Sequence, residues 1–247
     1  MNLITNASQW SYGFLLNFVL ISLACRYPLL TKSGWVNAGI LGTILFGCLG
    51  WKGWLAVVIY LALGSLVTKL GYAYKKSKGI SEGRDGKRGP ENVWGSAATG
   101  AGLALIYNLV NGSGEYLLFM GFAASFAAKL ADTFGSEIGK RWGKNTILIT
   151  TFEPVSAGTE GAISLQGTLA SIFGSFLMSV VMVFLGFIPT LSSFLIVFIC
   201  GVVATLLESV LGAVAQDKTK WLTNELINFL QTSLASILTI LIASFTC

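Results

Sequence analysis

Residues 164–214, SLQGTLASIFGSFLMSVVMVFLGFIPTLSSFLIVFICGVVATLLESVLGAV, hold two apolar runs, 164–187 and 191–214, parted only by Ile188, Pro189 and Thr190. A helix needs about 20 predominantly apolar residues to cross a bilayer core. Both runs reach that length, and Glu208 is the single charged side chain in the pair. Similar runs occur outward from this stretch at 8–25, 35–51, 53–72, 93–110, 117–139 and 222–244. The expected fold is therefore all-α, a polytopic transmembrane helix bundle of about eight spans, with residues 1–247 forming a single integral-membrane domain. Composition agrees: of 247 residues, 54% are hydrophobic and 11% charged, against roughly 25% charged in a soluble domain. Little chain is left over for a soluble catalytic domain.

The connections between runs alternate in charge. Arg26 and Lys32, the cluster Lys69, Lys75, Lys76, Lys78, Arg84, Lys87 and Arg88, the group Lys140, Arg141 and Lys144, and finally Lys218 and Lys220 put fourteen of the sixteen cations on one face. Lys52 falls in an opposite turn and Lys129 within a run. Basic loops stay cytoplasmic, so both termini are expected outside. Because Arg26 follows the first apolar run, that run is not expected to be a cleavable signal sequence. Ten of the eleven acids share the inner side, Glu115 being the exception. Asp132, Glu137 and Glu208 lie within or at the inner ends of apolar helices, where an ionised group costs about 3 kcal/mol or more. Each needs a partner or a metal.

Histidine is absent, which removes Ser-His-Asp and Cys-His catalysis and most zinc and haem ligation. Cys25, Cys48, Cys200 and Cys247 are scattered without CxxC spacing and read as small hydrophobes. The many glycines within runs suit close helix packing. Chemistry here must rest on carboxylates, cations and backbone.

Four segments could carry it. The loop from Lys75 to Asn92 mixes cations with glycines and enters a helix through Pro90. Its early lysines, Lys75, Lys76 and Lys78, read as a patch held against anionic headgroups. Arg84, Lys87 and Arg88 equally suit a polyphosphate near a helix N-terminus. In the fifth run, Lys129, Asp132, Ser136 and Lys140 fall within an arc of about 80°, at about 100° per residue, with Glu137 at its edge. Residues 151–164, rich in Gly, Thr and Ser, could cradle phosphate or simply cap the sixth helix; no Walker A spacing is present. Glu208 near the end of the seventh run and Asn224, Asn228 and Gln231 along one face of the eighth complete the polar set.

At these residues the chain resembles the phytyl-phosphate kinase family, small polytopic proteins of cyanobacteria and plastids related to an integral-membrane family once called a domain of unknown function. The resemblance rests on residues 89–93 (GPENV), 131–133 (ADT), 136–139 (SEIG), 158–164 (GTEGAIS) and 208–213 (ESVLGA), with Gln216, Asn224 and Asn228. It implies transfer of a phosphoryl group from CTP, or another nucleoside triphosphate, to phytyl monophosphate, for tocopherol, phylloquinone and chlorophyll synthesis. With it come expected roles: Mg²⁺ on Asp132, Glu137 and Glu208; phosphate clamping by Arg84, Lys87 and Arg88; donors from Gly158, Thr159, Glu160, Gly161 and Ser164; and orientation by Asn92, Ser136, Asn224 and Asn228. Lys129 either neutralises Asp132 or meets the γ-phosphate.

The expected setting is a cyanobacterial plasma or thylakoid membrane with the site facing the cytoplasm. Membrane lipid is a partner, nucleic acid is not, and a homodimer is the assembly to test. Two other readings stand beside this one, an ion-coupled transporter and a CTP-dependent lipid nucleotidyltransferase.

Overall fold

Gly50 sets the path of the first third of the chain. The computed structural model describes residues 3–81, 83–110, 114–216 and 221–246. Glu82, Asp217, Lys218, Lys220 and Cys247 lie outside the described residues, as does the side chain of Gln216. After α1 (Leu3–Ala24), α2 (Lys32–Lys69) is interrupted at Gly50, where φ 69° and ψ −164° leave helical space. Arg88 shows what this does: its carbonyl lies against Gly34 and its guanidinium against Gly64. A straight helix would hold those glycines about 45 Å apart at 1.5 Å per residue. The chain therefore reverses at Gly50, and the runs expected at 35–51 and 53–72 are the two arms of α2. Gln9 Nε2 closes the reversal by donating to the Phe46 carbonyl at 3.0 Å.

The remaining helices are the short α3 (Tyr72–Ser77), α4 (Pro90–Leu109), α5 (Glu115–Trp142), α6 (Leu165–Phe184), α7 (Leu191–Leu211) and α8 (Asn224–Thr246). A π-helical turn, Gly212–Gln216, extends α7. Five helices among the described residues, α2 and α5 to α8, are long and apolar enough to cross a membrane. α1 and α4 have 22 and 20 residues. The protein is an all-α polytopic membrane bundle.

Element ends follow local chemistry. Thr31, Ser164 and Thr190 cap α2, α6 and α7 by accepting from the backbone N–H groups of Gly34, Gly167 and Ser193, the ordinary role of such residues at a helix start. Pro90 opens α4, where its missing N–H costs nothing. α5 runs three residues beyond the apolar stretch because Lys140 and Arg141 suit the negative end of its dipole.

α5 is the axis. Residues 120–131 are buried around its whole circumference, as expected of a helix enclosed by others. Ala and Gly let neighbours approach: Gly174 of α6 lies against the Leu130 carbonyl, and Gly201 of α7 against the backbone of Ala127 and Ala128. In lipid this close contact replaces the hydrophobic drive that holds soluble cores. Around α5 stand α2, α4, α8, α7 and α6, while α1 packs on α2. All the basic connections described meet at one end of the bundle. Leu30 bridges Arg88, Lys75 reaches Glu137 and Gly161 rests on Ala213. Lys52 meets Gly186 at the other end. The 142–164 connection is more ordered than the loop expected from sequence, because β1 (Ile147–Leu148) and β2 (Ala162–Ile163) pair antiparallel within it.

The backbone of Gly50 occupies a region open essentially to glycine alone, and forcing another residue there costs about 1–3 kcal/mol. Gly50→Ala is expected to lower the melting temperature of the detergent-solubilised protein. An unchanged melting curve would show that the reversal tolerates a side chain.

Candidate functional site

At the end of the bundle that carries the basic connections, α5 changes character. Its mid-section buries Ala and Phe; the last four turns carry Lys129, Asp132, Ser136, Glu137 and Lys140. These five line a cavity of about 480 Å³. α7 adds Glu208 and Ser209, α8 adds Asn224, Glu225 and Asn228, and α4 adds Asn92 and Ser96. Arg84, Lys87 and Arg88 border it from the hairpin after α2, and Gly158, Thr159, Glu160, Gly161 and Ser164 from the connection before α6. Every residue to which the sequence gave a catalytic, metal or phosphate role therefore borders one space, whereas Gln231 does not.

The polar face of α5 is tied to α8. Lys129, 5% exposed, pairs with Asp132 one turn on and donates to Asn228 Oδ1 at 2.8 Å. Gln231, one turn further along α8, donates to the Ala128 carbonyl at 3.1 Å and to Thr205 Oγ1 at 3.0 Å, which brings α7 into the same seam. The charges that act on Glu208 belong to Asp132, Lys129, Glu160 and Lys140. Three carboxylates, from α5, α7 and the 142–164 connection, thus share the cavity lining with the ammonium groups of Lys129 and Lys140.

Glu137 takes another direction. Its carboxylate pairs with Lys75, and the two side chains are 2% and 0% exposed. The reading of Lys75 as a headgroup contact is corrected here: a lysine with no exposure does not meet lipid. Of the expected cation set of Asp132, Glu137 and Glu208, Glu137 is the member already engaged by an ammonium group. Among the described residues no three His, Cys, Asp or Glu side chains converge closely enough to hold an ion by themselves. Glu137 lies about 140° from Asp132 around α5 at about 100° per residue, so the two carboxylates leave the helix in different directions.

The hairpin is held from both sides. Arg84 and Asp85 have φ of 54° and 55°, uncommon for residues other than glycine, and each is anchored by an ion pair, Arg84 to Glu91 and Asp85 to Lys76. The Lys76 ammonium, bonded to Asp85 at 2.7 Å, holds the Asp85 carboxyl below its usual range, and Asp85 raises Lys76 in return. Arg88 Nη1 donates to Tyr60 Oη at 3.0 Å, and its guanidinium lies 5.6 Å from the centre of the Tyr60 ring. Asn92 Oδ1 caps α4 by accepting from Gly89 N–H at 2.9 Å, which leaves its amide nitrogen for the cavity. Ser164 is likewise a cap as well as a lining residue.

Sequence reasoning passed over Tyr60 and Glu225 and gave Lys75 another role. Tyr60 and Lys75 gave no local signal, since one lies mid-run and the other in a lysine cluster. Glu225, next to Asn224, could have been found from the polar start of α8.

Comparison with known proteins places these residues in a wider group. Residues 15–236 match the family described as Integral membrane protein DUF92. An uncharacterised membrane protein of Synechocystis is 44% identical over 236 residues, covering 95% of this chain and 91% of that protein. The chloroplastic protein VTE6 of Arabidopsis thaliana is 40% identical over 254 residues, covering 99% and 75%. An uncharacterised membrane protein of Methanocaldococcus jannaschii is 30% identical, covering 91% and 93%. No solved structure matches the chain.

Gly161 seats the connection on α7. Its φ is 72°, and a Cβ there would lie 2.3 Å from the Ala213 Cβ and 2.6 Å from the Ser209 carbonyl. Gly161→Ala is expected to lift residues 157–163 off α7 and to speed cleavage at Glu153 and Glu160 by a Glu-specific protease in detergent. Cleavage at the parental rate would show that the loop is held by other contacts.

Proposed function

As this chain belongs to the DUF92 family of integral membrane proteins, we propose that it is a lipid-phosphate kinase moving the γ-phosphoryl group of CTP, or another nucleoside triphosphate, onto phytyl monophosphate. The products would be phytyl diphosphate and the nucleoside diphosphate. One observation carries the reading: a cationic hairpin, carboxylates from separate elements and a glycine-turned loop border a single cavity at one end of a membrane bundle. The similarity to VTE6 over nearly the whole chain supports it.

The chemistry fits a site without histidine. A phosphate monoester has its second pKa near 6, so the attacking oxygen is already ionised at neutral pH and no protein base is required. That oxygen bonds to the γ-phosphorus as the bond to the β,γ-bridging oxygen breaks, and the electron pair leaves with the nucleoside diphosphate. Such a transfer needs in-line positioning and charge cancellation more than covalent help. Arg84, Lys87 and Arg88 would hold the phosphates of donor and acceptor. Backbone N–H groups near Gly158, Thr159 and Gly161, with Ser136 and Ser164, would supply further donors, and Asn92, Asn224 and Asn228 would orient the nucleotide. Lys129, already bonded to both Asp132 and Asn228, would keep Asp132 correctly aimed.

The lining suits a hard cation, for its candidate ligands are carboxylate, hydroxyl and amide oxygens. Mg²⁺ usually takes one or two protein carboxylates and fills its shell with phosphate and water, a demand that Asp132 and Glu208 meet, with Glu160 beside them. Bound there, it would neutralise charge developing on the transferring group. The site would face the cytoplasm of a cyanobacterial plasma or thylakoid membrane, where nucleotide is available.

The deciding experiment incubates purified protein with phytyl phosphate, Mg²⁺ and each nucleoside triphosphate and identifies both products. Phytyl diphosphate with nucleoside diphosphate is expected. Pyrophosphate release would make the protein a nucleotidyltransferase, and liposome uptake without nucleotide turnover would make it a carrier. Asp132→Asn is expected to lower turnover by about 10²-fold or more; near-parental turnover would remove Asp132 from the machinery. The rate should also fall as pH drops below about 6, where the acceptor loses its dianionic form, and a flat profile to pH 5 would argue against an unassisted phosphate nucleophile.

A further inference from the structure

Lys75 closes a junction of three elements. Its ammonium donates to the Thr68 carbonyl at 2.8 Å, at the end of the second arm of α2, and to the Glu137 carboxylate on α5. Lys75 itself belongs to α3, which opens the hairpin that later delivers Arg84, Lys87 and Arg88 to the cavity. The Thr68 carbonyl is among the last four of its helix, which lack partners within the helix, and a cation there also suits the helix dipole. A second contact reinforces the junction from the side: the Arg141 guanidinium of α5 stacks on the Tyr74 ring at 4.3 Å.

Glu137 stands next to Ser136 and five residues after Asp132, both on the cavity wall. Whatever fixes α3 to Glu137 therefore fixes the height at which the basic hairpin hangs over the Asp132 face. A carboxylate engaged by a fully enclosed ammonium is poorly placed to serve a metal ion as well. We infer that Lys75 and Glu137 are a positioning pair that holds the cationic hairpin in register with the Asp132 face of α5, and that Glu137 is not a cation ligand. The inference rests on the proposed kinase reading for its kinetic consequence, though not for its structural one.

Buried ion pairs have a property that separates the two roles. Removing one partner strands a charge, whereas replacing both with apolar residues of similar size is often neutral. The test compares Lys75→Met, Glu137→Met and the double variant in detergent by tryptic cleavage within residues 76–88, by melting temperature and by transfer kinetics with Mg²⁺ titrated. Each single variant is expected to speed hairpin cleavage and raise the KM for nucleotide by about tenfold, with kcat less affected. The double variant is expected to return cleavage, melting temperature and KM to within about threefold of the parent, at an unchanged Mg²⁺ requirement. A double variant that regains parental cleavage and melting yet stays as inactive as Glu137→Met would overturn the inference and return Glu137 to the reacting groups. Cleavage that no variant alters would overturn it too. If the parent shows no transfer at all, the kinase reading fails alone, because cleavage and melting still judge the pair.

Discussion

A charge carried below the membrane surface has to be answered by another polar group, and in this protein the demand falls on one helix. α5 is enclosed by its neighbours on every side through its mid-section, yet its inner half bears Lys129, Asp132 and Glu137. Ionised groups in that setting cost several kcal/mol when alone. The surrounding elements are arranged as answers: Asn228 on α8 accepts from Lys129, Lys75 on α3 meets Glu137, and Gln231 joins α8 to the α5 backbone and to Thr205 of α7. The polar seam thereby sets which helices adjoin α5 and at what depth, while the alanines and glycines above it only permit close approach. The cavity is what remains where these answers stop.

Much of this could be read from the chain. Apolar runs and alternating basic connections predict an all-α bundle with its charges at one end, and the runs before and after Gly50 emerge as two arms of α2. Helix ends were less legible. α5 extends through Lys140 and Arg141 because charge at a helix C-terminus is favourable, a gain that hydropathy does not measure. The residues nominated for the site do meet in one space, because helical periodicity fixed the α5 face and glycine spacing fixed the loop turns.

What the chain concealed were long-range pairings. Lys75 sits among lysines that look alike, yet it is enclosed while Lys76 is open, since α3 turns only one of them toward Glu137. Tyr60 lies in an apolar run and reads as packing, but its hydroxyl receives Arg88. Asn92 reads as a ligand residue and is also a helix cap. For Lys75 and Tyr60 the partner is distant in sequence, 62 residues away for Lys75 and 28 for Tyr60, and no local period encodes it.

The balance of charge around the cavity has its own consequence. Arg84, Lys87, Arg88, Lys129 and Lys140 face Asp132, Glu137, Glu160, Glu208 and Glu225, yet the two signs are not equally occupied. Glu137 is engaged by Lys75 and Asp132 by Lys129, whereas Glu208 feels two other carboxylates among its neighbours. The hairpin contributes Arg84, Lys87 and Arg88 to the lining and α7 contributes Glu208, so cations and carboxylates reach the cavity from separate elements. A bare triphosphate would be drawn to the cations and repelled by the carboxylates, and a lone cation the reverse. On the proposed kinase reading, the arginines would hold the phosphates of a metal-bound triphosphate and the carboxylates would serve its metal. That division of charge would give the donor an orientation before the acceptor arrives, the condition on which in-line transfer depends.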